Sequence, residues 1–247
     1  MMTMPFKNSF SNLLLGVTAL GLAGCATNVA QERANASYEA SIDKIDALAP
    51  KPWAAGGIAK VNAPRIGTRM KWSCTGPYTT DYDITVEGID RGLVKYSGKI
   101  VYAGSDNSAY PYETEKHWTL TGTGLWSSMT GNKRQWFDYE YFREFAKLEP
   151  GSVFRGPVPA RVGESLWVWD FEITVGDSRQ INHDVLGRIT VVPITEKRKI
   201  FHKDYTAKLV TLLAPEQGIS VSWTFTDEKG REECDLVRLG NKRSAAS

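Results

Sequence analysis

Histidine, serine and paired acids are the usual carriers of polar catalysis, and this chain sets none of them in a familiar spacing. Its three histidines, His117, His183 and His202, lie in separate stretches and form no HxH, HxxxH or HExxH pattern, which disfavours zinc. His183 and Asp184 are adjacent, but neighbours on a strand point to opposite faces and make a poor dyad. There is no Gly-x-Ser-x-Gly elbow, and Gly122-Thr123-Gly124 runs into Leu125-Trp126 without the lysine of a phosphate loop. Asp81/Asp83 and Asp170/Glu172 are i, i+2 pairs, each sharing one strand face. Such pairs bind calcium or act as acid and base. Here the residues between them are apolar and define the opposite, buried face, so a solvated polar face accounts for the acids. Glu232, Glu233 and Asp235, beside Cys234, read the same way. The sequence thus assigns no catalytic residue, no metal ligand and no cofactor.

Tryptophan is the unusual residue type: eight of them, at 53, 72, 118, 126, 136, 167, 169 and 223. Trp167, Trp169 and Trp223 fall on apolar strand faces and read as core. Trp126 and Trp136 bracket the polar turn 127–134 and are the candidates for stacking a ligand such as a sugar ring.

The three cysteines divide by position. Cys25 closes a leader with a weakly positive start at Lys7 and an uncharged, mostly apolar or small run over residues 10–23. That run is shorter than the roughly 20 residues a spanning helix needs and suits a secretory h-region. At its end, Leu22-Ala23-Gly24-Cys25 resembles the lipobox of bacterial lipoproteins. The resemblance covers only the first tenth of the chain and fixes address rather than activity. It implies removal of residues 1–24, diacylglycerol on the Cys25 thiol, and mooring to a membrane by acyl chains such as palmitate. Each buried methylene contributes about 0.8 kcal/mol to that anchor. Ala26, where an aspartate would signal retention, implies sorting to the outer membrane, with the protein facing the periplasm. Outside the cytoplasm an even remainder of two cysteines predicts a Cys74–Cys234 disulfide, the alternative being two buried thiols. Closing so long a loop is worth on the order of 5 kcal/mol by chain entropy.

The elements that must position these residues are mainly strands. Tyr82, Ile84 and Val86 alternate with polar residues, as do Val94, Tyr96, Ile100 and Tyr102. Trp167, Trp169, Phe171, Ile173 and Val175 repeat the pattern, and Ile219, Val221, Trp223 and Phe225 give a late example. Tyr38, Ile42, Ile45 and Leu48 are spaced for a short helix, and Phe137, Tyr141, Phe145 and Leu148 for a second. Asp81-Tyr82-Asp83-Ile84-Thr85-Val86 returns as Asp170-Phe171-Glu172-Ile173-Thr174-Val175, and Gly98-Lys99-Ile100 as Gly187-Arg188-Ile189, both 89 residues on (81 to 170, 98 to 187). Arg65-Ile66-Gly67 resembles Arg161-Val162-Gly163 across a gap. Two hits in one register predict duplication.

The expected fold is therefore mainly β: two tandem β-repeats packed as a sandwich or closed barrel, a short N-terminal helix, and one helix between the repeats. The divisions are a signal peptide at 1–24, a tether with the short helix at 25–63, β-repeat 1 at 64–150, β-repeat 2 at 151–240 and a disordered tail at 241–247. A sheet of about four strands cannot hide its own apolar face, so the halves must pack together. A Cys74–Cys234 bond would staple their seam. A net charge of +2 gives no footprint for nucleic acid. The expectation is a membrane-anchored envelope lipoprotein, non-catalytic, whose partner is an envelope protein or glycan. The alternative is a periplasmic carrier holding a sugar or lipid between the repeats, and behind both stands an unrecognised hydrolase.

Overall fold

In a computed structural model of the chain, residue 36 and residues 62–90, 93–104, 108–117, 125–130, 133–137, 149–162, 165–200 and 205–241 are described. The signal peptide, nearly all of the tether, the helix expected around Tyr38–Leu48, the helix expected after Phe137, and residues 242–247 of the tail lie outside them.

Thirteen strands form: β1 (Thr68–Thr75), β2 (Thr79–Asp90), β3 (Leu93–Tyr102), β4 (Ala109–His117), β5 (Leu125–Thr130), β6 (Lys133–Phe137), β7 (Val153–Val162), β8 (Ser165–Val175), β9 (Arg179–His183), β10 (Gly187–Ile200), β11 (Tyr205–Ala214), β12 (Ile219–Asp227) and β13 (Gly230–Asn241). Period-2 burial explains them. In β1, Met70, Trp72 and Cys74 are buried while Arg69, Ser73 and Thr75 are exposed. In β8, Phe171, Ile173 and Val175 of the expected apolar set are buried and Trp169 is half-buried.

The strands make one antiparallel sheet in the order β11-β12-β13-β1-β2-β3-β4-β5-β6-β7-β8-β10-β9. β10 is the junction. Its first residues, Gly187–Val191, pair with β9; its remainder pairs with β8 on one edge and β11 on the other. The two ends of the order thus meet at β10, leaving β9 as a terminal strand.

Two tandem sheets, one per repeat, are not what forms. Asp81–Val86 and Asp170–Val175 do occupy comparable strands, β2 and β8. The second hit falls on different structure. Gly98 sits mid-strand in β3 opposite Ile84, where an added Cβ would lie 2.1 Å from the Asp83 carbonyl oxygen. Gly187 opens β10 after the β9–β10 turn, with φ of +70° and open space around it. Arg65–Gly67 likewise precede β1, whereas Arg161 and Val162 end β7. The shared glycines answer different needs, close backbone approach in one case and a left-handed turn in the other.

Where strands from the two expected halves meet, they share one core. Met70, Trp72, Ile84, Val86 and Val94 from β1–β3 pack with Ile189 and Val191 of β10, Ile219 and Val221 of β12, and Leu236 of β13. Trp72 is buried, and the partly buried Trp223 and Tyr82 rings pack against this core, with centroids 5.4 Å apart for Trp72–Trp223 and 5.3 Å for Tyr82–Trp223. The Trp72 indole N–H donates to the Ser220 carbonyl at 3.0 Å.

Candidate functional site

The seam between the first and last strands carries the disulfide. Cys74 and Cys234 are direct partners in the β1–β13 ladder, and their sulfurs are bonded across Cα atoms 4.1 Å apart. Glu232 lies two residues before Cys234, so it shares the core face and is only 4% exposed. This corrects the solvated reading given to Glu232 with Glu233 and Asp235; the latter two, one step out of phase, are exposed. The Glu232 carboxylate accepts the Thr79 backbone N–H at 2.6 Å. Burial pushes its pKa above the ordinary range, partly offset by the Thr79 and Tyr78 backbone donors. Cys74, Glu232 and Cys234 stand close enough to share an ion. The sulfurs are spent on each other, however, and offer no thiolate to a metal. For the same reason the 3.7 Å approach of Cys234 Sγ to Glu232 Oε1 is a contact without a shared proton.

Farther along the core face is a buried ion pair. Glu196 is 3% exposed, in phase with Ile194, and its carboxylate lies 3.5 Å from Arg198 Nη1. The Arg198 guanidinium stands 5.6 Å from the Trp169 ring centroid and 5.3 Å from that of Phe225, a cation between two aromatic faces. Nearby, Asp227 accepts the Tyr78 and Tyr205 hydroxyls and the Lys229 backbone N–H at 2.8 Å. Burial raises its pKa, but these donors outweigh burial and hold the carboxyl below the ordinary range. The same pairing and burial push Tyr78 well above the ordinary phenol range, burial contributing most.

The outer face presents a third arrangement. Across β7, β8, β10 and β11 the ladder sets Arg155, Glu172, Lys197 and Lys208 in one row. Glu172 accepts from Arg155 Nε at 2.8 Å and from Lys197 Nζ at 2.7 Å. These two partners, Lys197 first, hold its pKa down to about 2. The row crosses an open groove of about 660 Å³, whose lining also includes Asp170, Lys199, Thr206 and Glu228. Asp83, the other repeated acid, is held by Arg69 at 2.7 Å, and Asp81 by Lys71 at 3.1 Å. Of the repeated acids, Asp81, Asp83 and Glu172 are thus partners in cross-strand ion pairs on the outer face.

Of the remaining candidates, Trp169 belongs to the Arg198 cluster. Trp126 and Trp136 fall on the adjacent strands β5 and β6, whose ladder pairs Ser127 with Trp136. Trp169 is on the core side, as expected, beside Phe171. His183 Nδ1 accepts the Val185 backbone N–H at 3.1 Å and so ties its own turn. His117 ends β4, and His202 and Cys25 are outside the described residues. The sequence reading missed two buried acids, Glu196 and Glu232. Their signal was parity: each is in phase with apolar neighbours, Ile194 and Cys234–Leu236.

The sequence matches no known protein family and no curated protein. Four solved chains match it. A crystal structure described as that of a proposed exported protein with a YmcC-like fold from Bacteroides fragilis NCTC 9343 is similar, with a TM-score of 0.43 and 10% identity, over 74% of this chain and 99% of that one. The hypothetical lipoprotein YmcC from Escherichia coli K12 gives a TM-score of 0.43 and 9% identity over 72% and 90%. A proposed lipoprotein from Parabacteroides distasonis ATCC 8503 gives 0.42 and 8% over 73% and 98%.

Proposed function

We propose that this chain is an exported lipoprotein of the outer membrane, moored through Cys25 and facing the periplasm, that acts by binding an envelope component rather than by catalysis. The observation that carries the reading is how the three cysteines are used. Cys74 and Cys234 take each other in a disulfide, as suits an oxidising compartment, and leave Cys25 at the end of the apolar leader for acylation. Weighing for this reading over a carrier is the packing of Trp72, with the partly buried Tyr82 and Trp223 against it, where β1–β3 meet β10, β12 and β13. The outer-face groove is the surface on which a partner would sit.

The test is metabolic palmitate labelling of cells making the parent chain or Cys25→Ala, followed by separation of membranes. The parent should carry label and sediment with the outer membrane. Cys25→Ala should lose both. Equal labelling of the variant, or a parent found in the cytosol, refutes the anchor.

A further inference from the structure

We propose that the end of the sheet at which the chain enters the domain, bearing Ile66, Ile89 and Val153, lies against the lipid bilayer. The inference rests on the anchoring reading above and adds which end of the domain meets the membrane.

A clamp fixes the entry point. The Asn62 backbone N–H donates to the Pro215 carbonyl at 2.8 Å, and its side-chain amide donates to the Glu216 carbonyl at 2.9 Å. Gly218 makes room, because an added Cβ would stand 1.9 Å from the Asn62 carbonyl oxygen. The chain coming from Cys25 therefore joins the domain at the β11–β12 turn.

Strand register carries that end around the sheet. β13 runs antiparallel to β12, so Asn241 lies toward the Ile219 end, and Asn241 pairs with Thr68 at the start of β1. The Gly67 N–H donates to the Val86 carbonyl at 2.8 Å, which sets Ile66 beside the last turn of register in β2, where Ile89 follows. In the other direction the pairs Ala214–Ile219, Val192–Leu213, Ile194–Val175 and Val153–Thr174 lead to the start of β7. Both routes arrive at the end that holds Asn62.

The exposed apolar side chains are unevenly placed. Single ones scattered over a surface need no explanation. Here Ile66 is 63% exposed, Val153 45% and Ile89 39%, and all three stand at the entry end. They are aliphatic and offer water no polar atom. Of the other large apolar side chains exposed among the described residues, Val237 is mid-strand, and Tyr102 and Tyr110 are at the opposite end, hydroxyl-bearing and in ring contact with centroids 5.3 Å apart. The entry end exposes charges of both signs, Arg65, Glu149 and Glu216, so its match to lipid is apolar rather than electrostatic. Acylation of Cys25 makes the contact intramolecular, so a few side chains suffice.

The test spin-labels the full lipidated chain in phosphatidylcholine vesicles at one added thiol: Ile66→Cys, Ile89→Cys, Val153→Cys, Tyr102→Cys or Tyr110→Cys. Paramagnetic resonance compares access of oxygen, which concentrates in lipid, with access of a water-soluble nickel complex. The oxygen-to-nickel ratio should be severalfold higher at positions 66, 89 and 153 than at 102 and 110, and should hold in about 0.5 M salt. Ile66→Ser/Ile89→Ser should lower the ratio at position 153 severalfold and leave the thermal midpoint in place, since both side chains are exposed. Equal ratios at the two ends, a ratio that collapses in salt, or a double variant that reads like the parent overturns the contact. Dipolar broadening between labels at 66 or 89 also overturns it, by assigning this end to a second copy of the chain. Vesicle flotation reads the anchor separately. A chain that floats with equal ratios keeps the anchor and loses the contact; a chain that stays in solution loses both.

Discussion

Strands β2 and β8 carry nearly the same six residues and put them to different uses. In both, the apolar positions are buried, Ile84 and Val86 in one and Ile173 and Val175 in the other. Both send their acids outward to basic partners on neighbouring strands, Asp83 to Arg69 and Glu172 to Arg155 and Lys197. From there they diverge. β2 continues into one long hairpin with β3, next to the covalently closed seam. β8 is followed by the short β9, and only then by β10, which turns back to pair with it and with β11. A six-residue alternation therefore settles which face each side chain takes. It does not settle what the strand pairs with next, because that depends on turns and on long-range partners. One copy ends up beside a staple, the other within a row of cross-strand ion pairs.

The sharpest way to break the contrast is to remove the staple. Cys74→Ala with Cys234→Ala should lower stability by about 5 kcal/mol in non-reducing urea unfolding, since the bond links positions 160 residues apart. An unchanged midpoint would mean that the β1–β13 hydrogen bonds alone hold the seam.

The two aligned glycines sharpen it next. Gly98→Ala should cost about 3 kcal/mol, because the new methyl meets the Asp83 carbonyl and the Ile84 backbone. Gly187→Ala should cost about 1 kcal/mol, for its left-handed backbone alone. Equal losses would return the two glycines to one structural role.

The smallest effects separate a buried acid from a surface one by pH. The Glu232 pKa is raised on folding, so its protonated form favours the folded state; that stability is present at acid pH and is lost as pH rises through the folded value. Glu232→Gln should therefore gain on the parent as pH rises. Glu172 has the opposite sign. Its contribution is complete above its ordinary value of 4.5 and fades as pH falls toward about 2. Glu172→Gln should therefore lag the parent most at neutral pH and low salt, by a small margin, and match it in strong acid. Chemical unfolding at a series of pH values reads both, and parallel curves for the two variants would contradict the distinction.

Much of this was legible before any coordinates. Period-2 patterning located β2, β3, β8 and β12, because alternation is a local property of the chain. The seam was legible too, since two cysteines near the two ends of the sheet-forming region could pair only if the first and last strands were neighbours. The single sheet was not. Choosing between two small sheets and one continuous sheet turns on β10, where one strand serves three partners, and no local pattern encodes that. Glu232 and Glu196 were passed over because an acid is read as solvated by type, although their phase with Cys234 and Ile194 marks the buried face. The row of Arg155, Glu172, Lys197 and Lys208 was invisible for a different reason. Lys208 is close in sequence to Lys197 but Arg155 and Glu172 are not, and only the ladders across β7, β8, β10 and β11 set the four in line.

Everything turns on the division of labour among three cysteines, and intact-peptide mass spectrometry of the native protein, extracted from membranes without reductant, reads all three together. The expected result is an amino terminus at Cys25 carrying diacylglycerol, together with a peptide in which Cys74 and Cys234 are cross-linked. An amino terminus still holding residues 1–24, with three free thiols and no acyl mass, would contradict it.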